Sequence, residues 1–98
     1  MNAEYKQKWL TALRSGKYPQ GREKLREDGK YCCLGVLCDI VDPDGWDGDK
    51  HRGTGGLLSE VAERVTGVKT FEMGHLINQN DTLGWDFNQI ANYIENTL

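Results

Sequence analysis

Apolar residues first recur at Tyr5, Trp9, Ala12 and Leu13, spaced i, i+4, i+7 and i+8. That stripe predicts an amphipathic helix over Asn2 to Ser15. Asn2 is its expected N-cap and Gly16 its left-handed terminator, with Lys6, Lys8 and Arg14 turned to water. Trp9 reads as a core anchor. Gly16-Lys17-Tyr18-Pro19-Gln20-Gly21 is a turn by composition, because proline sets φ and glycine permits a positive one. Residues 24–27 and 30–32 then flank Asp28-Gly29, the sequence signal of a type I′ hairpin. A ribbon so short has to lie on the helices.

From Cys33 to Val41 almost every position is apolar, which periodicity alone assigns to neither helix nor strand. Cys33, Leu37, Ile40 and Val41 share a helical stripe with Asp39 opposite, so a buried central helix is expected. Gly35 inside it costs about 1 kcal/mol relative to alanine, which implies close packing against another element. Asp42 to Gly56 reads as a long glycine-rich loop. Its four aspartates suggest calcium, but Trp46 interrupts the ligand spacing; Trp46 is instead a lid on the core or a ring for stacking on a ligand. Leu57, Leu58, Val61, Ala62 and Val65 form the next apolar face, closed by Gly67. A short helical turn at His75–Ile77 precedes a closing helix with Phe87, Ile90, Ala91, Ile94 and Leu98 on one face. Asp86 and Gln89 complete a capping box at its start, and Trp85 is placed to staple onto Ile90.

These elements predict a small α+β domain over residues 1–98: three to four helices around the 33–41 helix, with a minor β-hairpin. Ninety-eight residues exclude a two-domain enzyme or a dinucleotide-binding unit. No apolar run reaches the roughly 20 residues of a membrane span, and the first residues lack a secretory pattern. The net charge is -3, unevenly spread: residues 1–30 hold eight cations against four acids (+4), residues 31–98 four against eleven (-7). The basic third favours an anionic small molecule or an acidic protein face over long nucleic acid. Cys32, Cys33 and Cys38 are read as buried thiols in a reducing cytoplasm, because metal binding would need further ligands and only His51 and His75 remain.

Lys8-Trp9, Ala12-Leu13-Arg14-Ser15-Gly16-Lys17-Tyr18, Gln20-Gly21, the Tyr31-to-Asp39 run and Phe87-x-x-Ile90-Ala91-x-x-Ile94-Glu95 carry a further signal. Together they resemble a family of small phage and prophage proteins with a KW-x-x-ALRSG-x-Y-x-QG opening and a CCLGVLCD centre. The chain departs from that pattern at Leu57-Leu58, where the family has Leu-Pro, and at Gln79-Asn80-Asp81, where a leucine before Asn-Asp is lost. The resemblance implies a phage accessory product, a class in which small proteins often counter host defence.

No paired acid and base, activated nucleophile, phosphate loop or metal cluster is legible, so a non-catalytic role without a cofactor is expected. The cationic, aromatic turn is the best recognition element. Arg14, Lys17 and Tyr18 are expected to contact phosphate and base, with Gln20, Gly21, Asn80 and Asp81 beside them and Trp46 as a lid. The competing reading has Arg14 paired with Asp81 or Asp39 and Tyr18 plugging the core edge. The expected function is sequestration of a nucleotide-derived signal, with a homo-oligomer enclosing the ligand; occlusion of a host defence protein and a small nucleotide hydrolase are the alternatives.

Overall fold

A computed structural model describes all residues from Met1 to Leu98. The chain forms α1 (Ala3–Arg14), β1 (Arg26–Glu27), β2 (Lys30–Tyr31), α2 (Cys33–Val41), β3 (Trp46–Asp47), β4 (Lys50–His51), α3 (Glu60–Thr66), α4 (Thr70–Ile77) and α5 (Phe87–Thr97). A 3-10 turn at Pro43–Gly45 precedes β3, and a π turn at Asn78–Thr82 continues from α4. This is a small α+β domain, with five α-helices and two separate antiparallel hairpins.

α2 is the hub. Cys33 through Cys38 are all buried, and α1, α3 and α4 pack around it while α5 lies on α1. Trp9, fully buried, donates its indole N–H to the Cys33 carbonyl at 2.9 Å and so pins α1 to the start of α2. Gly35 explains itself: a Cβ there would stand 1.8 Å from the Leu25 carbonyl oxygen, so only glycine lets the segment before the first hairpin cross the helix. That hairpin turns on Asp28 and Gly29 at φ +53° and +76°, both left-handed as a type I′ turn requires. Asn2 caps α1 by accepting from the Tyr5 N–H, and both reciprocal bonds of the Asp86–Gln89 capping box are formed on α5.

Four features differ from the sequence expectation. The 42–56 stretch is not an open loop: Trp46–Asp47 pairs with Lys50–His51 across Gly48-Asp49. α4 is a full helix rather than a single turn, closed onto the core by Met73 and Leu76. Leu57 and Val65 do not belong to the α3 core face; both are exposed, and Thr66 takes an interior position instead. Finally, Leu10 joins Trp9 and Leu13 in the core, widening the α1 stripe.

Candidate functional site

The end of α1 sets the path of the turn after it. Ser15 is the C-cap, Gly16 reverses the chain at φ +75°, and Lys17 and Tyr18 are carried round to the outer flank of the helix. Tyr18 points inward. Its hydroxyl donates to Asp39 Oδ2 at 2.6 Å, and its ring meets Tyr31 edge-on at 4.9 Å. Burial, and then the neighbouring Asp39 carboxylate, push the phenol well above its ordinary pKa of 10.0.

The same carboxylate fixes Trp46, whose indole N–H donates to Asp39 Oδ1 at 3.0 Å. Tyr31 and His51 meet the Trp46 ring edge-on, and the Arg26 guanidinium lies 4.4 Å from its centroid. Arg26 also donates to the Gly48 carbonyl at 2.8 Å, locking the second hairpin in place. Trp46 is therefore a half-buried strut between the hairpins, packed against the core as one of its two expected roles has it. It lines neither of the two depressions at Tyr18, so the ligand lid is corrected. Its neighbour Gly45 has to be glycine, because a Cβ would sit 2.5 Å from His51 Nε2.

Asn80 organises a second set of predicted residues, and it spends them internally. The buried side chain accepts from Gln20 Nε2 at 3.0 Å and from the Cys33 N–H at 3.3 Å. It donates to the Gly21 carbonyl at 2.9 Å and to Asp81 Oδ1 at 2.8 Å. Arg22 donates to the Asn80 carbonyl, and Asp81 Oδ1 also accepts from the Glu23 N–H at 2.9 Å. The Gly21 N–H is taken by the Tyr31 carbonyl at 2.7 Å. Gly21, Asn80 and Asp81 are thus the fastening of the 20–23 loop to the π turn; the Asn80 side chain is fully enclosed, while Asp81 keeps its second carboxylate oxygen. Gln20 retains only its carbonyl oxygen, since Nε2 donates to the Trp85 carbonyl as well.

Arg14 is partly spent too, though on neither acid expected for it. Its guanidinium holds Glu95 at 3.2 Å and Asn92 at 2.8 Å, tying α1 to α5. Lys17 is exposed and makes no ion pair. Two shallow depressions meet at Tyr18. One, about 390 Å³, runs along α1 and is lined by Lys8, Thr11, Ala12, Ser15, Lys17 and Tyr18. The other, about 280 Å³, lies between α1 and the start of α5, among Arg14, Tyr18, Gln20, Asp86, Phe87 and Asn88. Sequence reasoning misses Asp86 and Asn88 as site residues, because both read as the start of a helix.

The nucleophiles lie elsewhere and are sealed. Burial pushes the Cys32 thiol up to about 11 and Cys38 up to about 12, and raises Cys33 well above its ordinary range. Such thiols stay protonated and inert at neutral pH. Ser59 and His51 stand 2.8 Å apart, with the other ring nitrogen 2.8 Å from the Asp42 carbonyl. A carbonyl only accepts, so Nε2 is the donor to Asp42. This has the geometry of a nucleophile and its base, yet both residues are 0% exposed. It works as a clamp joining the 3-10 turn, the second hairpin and the α3 cap, where Ser59 also accepts from the Ala62 N–H.

The largest depression, about 440 Å³, opens between the hairpin tips beside Arg26, Glu27, Asp28, Tyr31 and Asp49. Its charges are cross-paired, with Lys24 3.0 Å from both Glu27 and Asp49. The hydrogen bond from Lys24 lowers the Asp49 pKa below its ordinary value.

A family model described as a domain of unknown function (DUF8296) matches residues 1–57, more than half of the chain, and the chain belongs to that family. The match spans α1 through the second hairpin, including Lys17, Tyr18 and Trp46, and stops before α3. No curated protein and no solved structure matches the chain.

Proposed function

We propose that this member of the DUF8296 family is a non-catalytic binding protein that sequesters an anionic, nucleotide-derived small molecule at the Tyr18 corner. The observation that carries the reading is the α1 groove, where Lys17 and Lys8 flank a floor made by Ala12 and Tyr18. Lys17 has no acid to neutralise it, and Lys8 has only the exposed Glu4 at 3.4 Å. The Lys8 ammonium rests over the Tyr5 ring, so the free Lys17 ammonium beside an apolar floor is what suits a phosphate with an attached ring. The buried thiols and the sealed Ser59–His51 pair support binding over turnover.

Both depressions are open to solvent, so a second copy across them would complete the enclosure. The resemblance to phage proteins fits such a sponge into a counter-defence role in the host cytoplasm. Protein occlusion is the second reading, favoured by Phe71, which is 64% exposed on α4 beside His75.

Incubation with cyclic di- and trinucleotides and ADP-ribose derivatives, followed by denaturation and analysis of what is released, separates these readings. Intact nucleotide recovered from the wild-type chain and lost from Lys17→Glu is the expected result. An altered nucleotide would mean an enzyme, and no retention of any of them would favour a protein target.

A further inference from the structure

Three aspartates of the chain are followed directly by glycine: Asp28-Gly29, Asp44-Gly45 and Asp47-Gly48. A glycine nitrogen is unhindered by a Cβ, so it can close a five-membered ring on the side chain of the aspartate before it. We infer that the two hairpin tips are sites of spontaneous aspartate isomerisation, fastest at Asp28 and slower at Asp47, while Asp44 is spared. Water is the only co-reactant. The glycine nitrogen bonds to the aspartate Cγ; the carboxyl group, protonated for the step, loses its hydroxyl, which carries the N–H proton away as water. Water then opens the succinimide. Attack at Cγ restores aspartate, and attack at the other carbonyl carbon leaves the chain running through Cβ as isoaspartate, with no net change in composition.

What holds each attacking N–H separates the three sites. The Gly45 N–H donates to the Asp42 carbonyl at 3.0 Å, and the Gly45 carbonyl accepts from the Arg52 N–H at 2.9 Å. Gly45 is also buried, against the His51 ring. The Gly29 and Gly48 N–H groups have no partner in the chain, and both glycines are exposed together with their aspartates. They stand at φ +76° and +64°, at the tips of ribbons only two residues long on each side. Ring closure turns the peptide plane out of a tight turn, so the tip has to open first, and ribbons this short open easily.

The tips differ in their fastenings. Arg26 donates to the Gly48 carbonyl at 2.8 Å and Lys24 holds Asp49 at 3.0 Å, each reaching across from the first hairpin to the second. Asp28 has no ion pair, and the space around Gly29 is open. Isoaspartate at position 28 adds one backbone carbon to a two-residue turn, which breaks the Arg26–Tyr31 and Glu27–Lys30 register. Tyr31 packs on both Tyr18 and Trp46, so the change loosens the corner from its hairpin side.

Ageing the full chain at neutral pH in heavy-oxygen water tests this. Each ring opening inserts a solvent oxygen, so peptide mass spectrometry with fragmentation reads the rate at every aspartate and separates isoaspartate from aspartate. Label is expected first at Asp28 and about fivefold more slowly at Asp47, the worth of one net hydrogen bond. None is expected at Asp44 over the same period. The chain unfolded in guanidinium chloride is the reference, where all three sites should label at comparable rates. Arg26→Gln frees the Gly48 carbonyl and should bring Asp47 up to the Asp28 rate. Asp44 labelling as fast as Asp28 in the folded chain, or Asp28 silent when folded but labelled when unfolded, would overturn the site assignment. An unchanged Asp47 rate in Arg26→Gln would overturn the ordering of the two tips.

Discussion

Two corners of this small protein hold similar residues and use them in opposite ways. Around Asn80, the amides, an acid, an arginine and backbone groups of residues 20–23 and 78–82 are committed to one another. Around Lys17, only a few steps along the chain, an ammonium, the Asn88 amide and one Asp86 oxygen remain uncommitted. Burial makes the difference. Asn80 is fully enclosed, so each of its polar atoms must find a partner or incur a desolvation cost of a few kcal/mol. Lys17 is solvated, so its charge is free to meet a ligand. Polar residues of this small chain serve construction when buried, and those left solvated stay uncommitted.

The strongest challenge to the constructive side is alkaline pH. The three buried thiols are raised above their ordinary pKa of 9.0, so the folded state retains protons that the unfolded chain releases. Their contribution is fully present below pH 9 and is lost as pH rises through the folded values, to about 11 for Cys32 and about 12 for Cys38. Each thiol should remove about 1.4 kcal/mol per pH unit once the unfolded form ionises. Together they should cost about 4 kcal/mol by pH 10, read by denaturant titration across pH 7–10. A flat profile would show that the thiols are not enclosed.

Next in size is Asn80→Ala, which strands the Cys33 N–H and releases the 20–23 loop from the π turn. A loss of about 3 kcal/mol is expected in equilibrium unfolding. Tyr18→Phe removes the hydroxyl from Asp39 but keeps the ring against Tyr31, so about 1 kcal/mol should be lost. Nucleotide retention should survive that change, because the hydroxyl is already committed. Retention abolished with stability intact would show that the phenol itself contacts the ligand. Smallest in stability is Lys17→Glu, within about 0.5 kcal/mol of wild type, since the exposed ammonium has no ion-pair partner to lose. Its effect belongs to binding, where retention of the nucleotide should disappear.

Much of the scaffold is legible in the chain because its signals are local. The α1 and α5 caps, the Asp28-Gly29 turn and the central helix each arise from residues within one turn of one another. Gly35 even announces a close approach, though not that Leu25 makes it. The second hairpin escapes a sequence reading although Gly48-Asp49 is a hairpin signal, because surrounding aspartates and glycines mask two strands of only two residues each. α4 reads too short because its buried face has just Met73 and Leu76, with Phe71 turned outward.

Of the candidate site, the sequence locates the corner but not the state of its residues. Arg14, Tyr18, Gln20 and Trp46 stand out for what their side chains can do, and that is chemistry visible in any single residue. Whether each is free depends on partners elsewhere in the chain: Glu95 for Arg14, Asp39 for Tyr18 and Trp46, Asn80 for Gln20. Helices, caps and tight turns are short-range balances of propensity and hydrogen bonding, so the chain determines them by itself. Which polar atoms are left for a ligand is a long-range remainder, decided only when packing has satisfied all the others.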